Sequence, residues 1–125
     1  MAIFKNKETT TNHSKQTAII SQGVTIKGNL DLSAKLHVEG VIEGNINSNN
    51  EISIGKDGKI IGELVAKKLI INGRFEGKAE CDVIEVLEGG VLHGDIVIQN
   101  IVIEPNGCFI GTSTLKEHKE IKKAK

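Results

Sequence analysis

Apolar and polar residues alternate along most of this chain, and glycine interrupts the alternation at regular intervals. Between Lys35 and Ser48, Leu36 and Val38 lead into Gly40, Ile42 stands before Gly44, and Ile46 follows. The same order returns at Ile52, Ile54, Gly58, Ile60, Gly62 and Leu64, then at Leu69, Ile71, Gly73, Phe75, Gly77 and Ala79. A fifth copy holds Ile84, Val86, Gly90, Leu92, Gly94 and Ile96, and a sixth holds Ile101, Ile103, Gly107, Phe109 and Gly111. An earlier copy places Val24 where the first glycine would stand and continues through Ile26, Gly28 and Leu30. The second glycines are 16, 18, 15, 17 and 17 residues apart, the mark of a repeat architecture.

A period of two specifies strands rather than helices. Three short strands fit into about 17 residues only if the chain bends sharply between them, and glycine supplies the backbone conformations for such bends. Stacked coils of this kind form a single-domain, all-β solenoid. Its inward residues should stack in columns: Ile26, Ile42, Ile60, Phe75, Leu92 and Phe109 in one, Leu30, Ile46, Leu64, Ala79, Ile96 and Ser113 in another. A third runs through Val38, Ile54, Ile71, Val86 and Ile103, beside Leu36, Ile52, Leu69, Ile84 and Ile101. Six coils at a strand spacing of about 4.8 Å give a rod roughly 29 Å long. The expected organisation is a disordered N-terminal tail over residues 1–16, a rod over 17–115 and a charged C-terminal tail over 116–125.

Composition narrows the function. The chain has no Trp or Tyr and is 2% aromatic, which disfavours base stacking and aromatic ligand pockets. Charge balances at net zero, but residues 1–16 carry +2 and the lysine-rich tail from Lys116 carries +3, leaving the rod at −5. Specific nucleic-acid binding is not expected, although the tail could bind nonspecifically at low salt. No run of eighteen apolar residues exists, and the N-terminus lacks the apolar stretch of a secretory signal, so a cytoplasmic location is expected. Cys81 and Cys108, in different coils and outside any CxxC or Cys/His cluster, are expected to be reduced thiols.

Candidate chemistry is sparse. His37 and His93 fall on outward positions and read as solvated surface side chains. The acidic residues scatter over several faces, and no Ser-His-Asp set, phosphate-cradling loop or ligand-spaced metal cluster accompanies them. No catalytic residue, metal or cofactor is expected. Lys56-Asp57-Gly58 and Glu104-Pro105-Asn106-Gly107 read as turns, the latter of type I or II. At the N-terminus Ile3 and Phe4 stand beside Lys5 and Lys7. They are either the plain start of a tail or a weak membrane tether, apolar side chains inserting while lysines meet anionic headgroups.

A solenoid has two open ends, each with unpaired strand groups above an apolar core, and no capping segment is visible. End-to-end assembly follows, with Phe109 and Ile103 near one junction and Ile19, Ile26 and Leu30 near the other.

The coils VEGVIEGNI, GKIIGEL, INGRFEGKA and GGVLHGDI, flanked by short polar tails, resemble those of the bactofilins, small bacterial cytoskeletal proteins. The resemblance covers about residues 17–115 and the apolar start of the N-tail. It implies a right-handed, roughly triangular parallel β-helix that polymerises without nucleotide, through head-to-head and tail-to-tail contacts. It also implies attachment at the inner face of the cytoplasmic membrane through the N-tail, and filaments that localise cell-wall (peptidoglycan) hydrolases or synthases and so affect cell shape. Phe109 matches a last-coil Phe of the family that contributes to the polymer contact. The tail departs from the family pattern, being lysine-rich where family tails are often rich in Pro.

Two other classes compete. A left-handed β-helix acyltransferase would need a sustained six-residue repeat. Ile54, Ile60 and Ala66 keep that spacing, but Val38, Ile42 and Ile46 are four apart. A monomeric adaptor binding a partner protein through its solenoid face would remain a single species at raised concentration.

Overall fold

The computed structural model describes residues 16–116. Every regular element in that range is a strand: β1 (Thr17–Ile20), β2 (Thr25–Leu32), β3 (Lys35–Val38), β4 (Val41–Ser48), β5 (Glu51–Ile54), β6 (Lys59–Ile71), β7 (Arg74–Val86), β8 (Val91–Ile98), β9 (Asn100–Ile103) and β10 (Cys108–Leu115). All pairings are parallel and join each strand to its counterpart one coil away. The chain is a parallel β-solenoid of about six coils.

Each coil contains a four-residue strand and an eight-residue strand rather than three separate ones, and in β6 and β7 these two have fused. The predicted bend is inside the longer strand. There the second glycines stack directly, Gly28 on Gly44 on Gly62 on Gly77 on Gly94 on Gly111, with φ between +134° and +144°. That backbone region is essentially closed to side chains. Each coil therefore has three faces, one on the four-residue strand and one on either side of the glycine.

The uneven repeat spacing comes from the other two corners. Between Gly28 and Gly44 these hold two residues each, at 33–34 and 39–40. The next coil keeps two residues in the first corner, at 49–50, the later ones have a single residue there, and the second corner varies between two and four, so the strand register never slips. Gly107 N–H donates to the Glu104 carbonyl at 2.9 Å, and Asn106 has φ +71°. This is a type II turn with Asn at the left-handed position.

The core is a column of aliphatic side chains. Ile42, Ile60, Phe75 and Leu92 are fully buried, as are Leu36, Ile52, Leu69 and Ile84 and, beside them, Val38, Ile54, Ile71 and Val86. A further inward column, Leu32, Ser48, Ala66, Cys81, Ile98 and Leu115, follows from the register. Its mixed residue types hide it in the sequence. Ser48, the buried polar member, accepts a hydrogen bond from the Asn50 N–H at 3.0 Å.

Both cysteines are free. Burial pushes the Cys81 thiol up to about 12, whereas Cys108 is exposed. Since the thiolate is the reactive form, a disulfide-exchange reagent is expected to modify one thiol promptly in the folded chain and the second only after denaturation. Two equally fast thiols would place Cys81 outside the core.

His37 does point outward, but it is not simply solvated. Its Nε2 lies 2.8 Å from Glu39 Oε2 and its Nδ1 2.7 Å from Ser53 Oγ. A Ser-His-Glu chain thus exists although no such set is apparent in the sequence, because Ser53 stacks on His37 one coil later. It lies on an outer face, and the adjacent Gly55 N–H is already committed to the Val38 carbonyl. We read it as a clasp between coils. The hydrogen bond from His37 holds the Glu39 carboxyl below its usual 4.5. Whatever the clasp contributes is therefore present above that pH and lost as the pH falls through the lowered value.

Candidate polymerisation interface

Two surfaces of the rod differ from the rest, and both are created by the absence of a neighbouring coil. β1 and β2 pair only with β3 and β4, and β9 and β10 only with β7 and β8. Each terminal coil thus has one strand edge unpaired among the described residues. An open parallel edge offers backbone N–H and C=O groups to any chain that can match its spacing.

The side chains behind these edges are core residues left partly uncovered. At the C-terminal end, Ile103 continues the column of Val86 but is 43% exposed where Val86 is 0%. Leu115 continues the column of Ile98 and is 62% exposed against 3%. Phe109 stacks on Leu92 and, with Ile101, is half-buried against the core. Ser113 keeps its inward register on Ile96 but is exposed. At the N-terminal end Ala18, Ile20, Ile26, Leu30 and Leu32 are the half-buried set.

Among the residues expected at the junctions, Phe109, Ile103, Ile26 and Leu30 all face the open ends. Ile19 lies in the same terminal coil, but it is in register with the outward His37 and 62% exposed. It stands on the lateral face, and its neighbours Ala18 and Ile20 are the inward pair. Ile101, Leu32 and Leu115 join the end surfaces. Ile3, Phe4, Lys5 and Lys7 lie outside the described residues.

The glycine column gives the two ends different character. A Cβ built on Gly44, Gly62, Gly77, Gly94 or Gly111 would fall 1.8–1.9 Å from the carbonyl oxygen of the glycine in the preceding coil. The same vector on Gly28 meets nothing within 4 Å, because it points out of the N-terminal end. Gly28 thus keeps that end flat enough for another backbone to approach as closely as a coil does.

Among the described residues there is no group of three or more His, Cys, Asp or Glu placed to hold a metal, and no helix long and apolar enough to cross a membrane.

Among the described residues, both ends of this parallel β-solenoid leave apolar core columns partly uncovered. A family model, "Bactofilin: Polymer-forming cytoskeletal", matches residues 18–114, and the chain belongs to the bactofilin family. It is 39% identical over 54 residues to bactofilin BacN of Myxococcus xanthus (strain DK1622), a match over 43% of this chain and 48% of BacN. The chain thus spans about half the length of the curated relative it matches. Its fold is similar to the solid-state NMR structure of the cytoskeletal bactofilin BacA, with a TM-score of 0.74 at 22% identity, over 82% of this chain and 98% of that one.

Proposed function

We propose that this chain assembles end to end, without nucleotide, into a filament that serves as a non-enzymatic scaffold. The observation that carries the reading is the pair of coil ends left open among the described residues, where the residues continuing buried columns are half-buried or, at Ile103 and Leu115, exposed. Joining two ends covers those side chains and pairs the open edges, and apolar burial is worth roughly 25 cal/mol per Å². The driving force is present in the folded chain itself, so no nucleotide is needed to create it. Head-to-head and tail-to-tail joining is the polarity proposed, and recruitment of cell-wall enzymes along the filament, with an effect on bacterial cell shape, is the role.

The N-terminal residues Ile3, Phe4, Lys5 and Lys7 are proposed as a weak tether to the inner face of the cytoplasmic membrane. One copy binds marginally, but copies repeated along a filament bind through avidity. Deleting residues 1–7 is expected to abolish co-sedimentation with anionic vesicles while leaving assembly intact. Undiminished vesicle binding by the truncated chain would remove the tether from the account.

A monomeric adaptor is the competing reading. Analytical ultracentrifugation over a hundredfold concentration range, about what resolves a 2.7 kcal/mol difference in association, separates the two. Mass appearing as polymer above a threshold concentration, without added nucleotide, supports the scaffold. A single 13.5 kDa species throughout supports the adaptor.

A further inference from the structure

The C-terminal coil is nearly uncharged. Between Asn100 and Leu115 its one charged side chain is Glu104, and Lys116 follows at the end of β10. Both charges belong to corners. Glu104 opens the turn closed by Gly107, and Lys116, its Nζ 2.7 Å from Asp82 Oδ1, begins the corner after β10. The third corner is Gly111, flat and without charge. Apolar character extends to the outside of this coil as well: Val102, in register with the outward Glu85, is 52% exposed.

The backbone at this end is set for pairing. Glu104, Cys108 and Lys116 donate their N–H groups to the Val86, Gly90 and Ile98 carbonyls of the previous coil. Successive residues of a strand present their backbone groups to opposite sides, so the groups directed out of the end belong to the intervening inward residues, among them Ile101, Ile103, Phe109 and Ser113. A second rod joining tail to tail is related by a two-fold axis, which lays each edge strand antiparallel on its own copy and sets any residue on the axis against itself. A three-faced coil has three such axes, each through one corner and the opposite face. The axis through the Glu104 corner opposes like carboxylates. The axis through the Lys116 corner opposes like ammonium groups and, on the far face, sets one Phe109 ring squarely on the other, the least favourable aromatic stacking. The axis through Gly111 does neither. It leaves the opposite face at Val102 and halves the coil, with eight residue steps from Gly94 to Val102 and nine from Val102 to Gly111.

Granted the tail-to-tail polarity proposed above, we infer that two chains join about this axis, with Phe109 of each rod seated over Ser113 of the other and Ile101 over Ile103. The ring fills the space left by Ser113, a small residue where Ile96 stands one coil earlier. Val102 is covered by its own copy, and the Glu104 corner of one rod lies beside the Lys116 corner of the other. Inward residues meet inward residues, so the open N–H and C=O groups find partners.

The natural Cys108 reads this register. About the Gly111 axis it faces Thr114 of the second copy in a pair without mutual hydrogen bonds, with Cα atoms about 4.5 Å apart, a separation that a disulfide bridges. Thr114 is exposed, so Thr114→Cys tests the junction rather than folding. Wild-type and variant chains are assembled without nucleotide, pelleted, oxidised mildly with diamide and resolved on non-reducing gels with peptide mapping. Thr114→Cys polymers are expected to yield covalent dimers and nothing longer, linked between Cys108 and the new thiol, because each chain has one such end. Thr25→Cys, which lies over Cys108 if rods stack head to tail, and Ile110→Cys, which faces it about an axis through Phe109, should stay unlinked. A covalent ladder from Thr25→Cys, or dimers from Ile110→Cys, would overturn the register. Wild-type chains that never pellet would remove the scaffold reading and this junction with it, whereas polymers of Thr114→Cys that stay unlinked would remove the junction alone. Ser113→Phe is expected to raise the assembly threshold about tenfold by overfilling the contact. Phe109→Ser/Ser113→Phe, which exchanges the two sizes, should recover most of that loss, and a double variant no better than Ser113→Phe would also overturn the pairing.

Discussion

Gly77→Ala is expected to prevent the rod from folding. Gly77 is in the middle of the glycine column with φ +134°, and an added Cβ would lie 1.9 Å from the Gly62 carbonyl oxygen. The backbone region alone costs an alanine about 1–3 kcal/mol. The overlap is with backbone, so no side chain can swing away, and the two coils must separate where β6 and β7 pair. Those coils bury Phe75, Leu64 and Leu69, and opening them adds cavity costs of about 2–5 kcal/mol for a lost large side chain's packing. Together these approach the 5–15 kcal/mol that holds a typical domain. Gly28→Ala is the control. It has a similar φ, +139°, but open space ahead, so it should pay only the backbone cost of about 1–3 kcal/mol. Thermal unfolding followed by circular dichroism should show Gly28→Ala folded with a lowered midpoint and Gly77→Ala without a cooperative transition. Equal midpoints for the two would mean that the coils are not stacked through this column.

Phe109→Arg is expected to leave the rod folded and to remove the filament. Phe109 is in the terminal coil, half-buried against the core from one side, so a guanidinium there can turn toward solvent in the free rod. In a joined end it cannot. Placing an unpaired charge in a desolvated contact costs several kcal/mol, and burial of the Phe ring, worth roughly 1.5–3 kcal/mol, is lost as well. Each 1.4 kcal/mol is a factor of ten in association, so the threshold for assembly should rise by at least about 100-fold. Phe75, in the same column two coils earlier and 0% exposed, supplies the contrast. Phe75→Arg should unfold the chain. Filaments of normal length from Phe109→Arg at the wild-type threshold would remove this residue from the junction.

The parts of the fold legible in the sequence are those written in a repeating chemistry. The columns through Ile42, Val38 and Ile46 show themselves because every interior member is apolar, and the stacked glycines because no other residue fits there. The column through Ser48, Ala66 and Cys81 was not legible, because a small, variable cavity near a corner accepts several residue types. The changing corner lengths further obscured its spacing. The orientation of Ile19 was missed for a different reason. Apolar identity suggests burial, but parity along β1 puts Ala18 and Ile20 inside and Ile19 out. The partnership of His37, Glu39 and Ser53 depends on which residue of one coil lies over which residue of the next. That offset is 16 residues here and 18, 15 or 17 in other coils, so it appears only once the register is known. The end surfaces were legible as a consequence of architecture, since any uncapped solenoid has them. Leu115 and Ile101 join them through the register of β9 and β10.

If folded rods join through their terminal coils without an energy source, the purified chain needs nothing else to polymerise. Negative-stain electron microscopy of the purified chain, stripped of nucleotide, tests it most directly. Unbranched filaments one rod wide, built from units of roughly 29 Å, are expected. Dispersed monomers at all concentrations, or filaments that appear only when nucleotide is added, would contradict it.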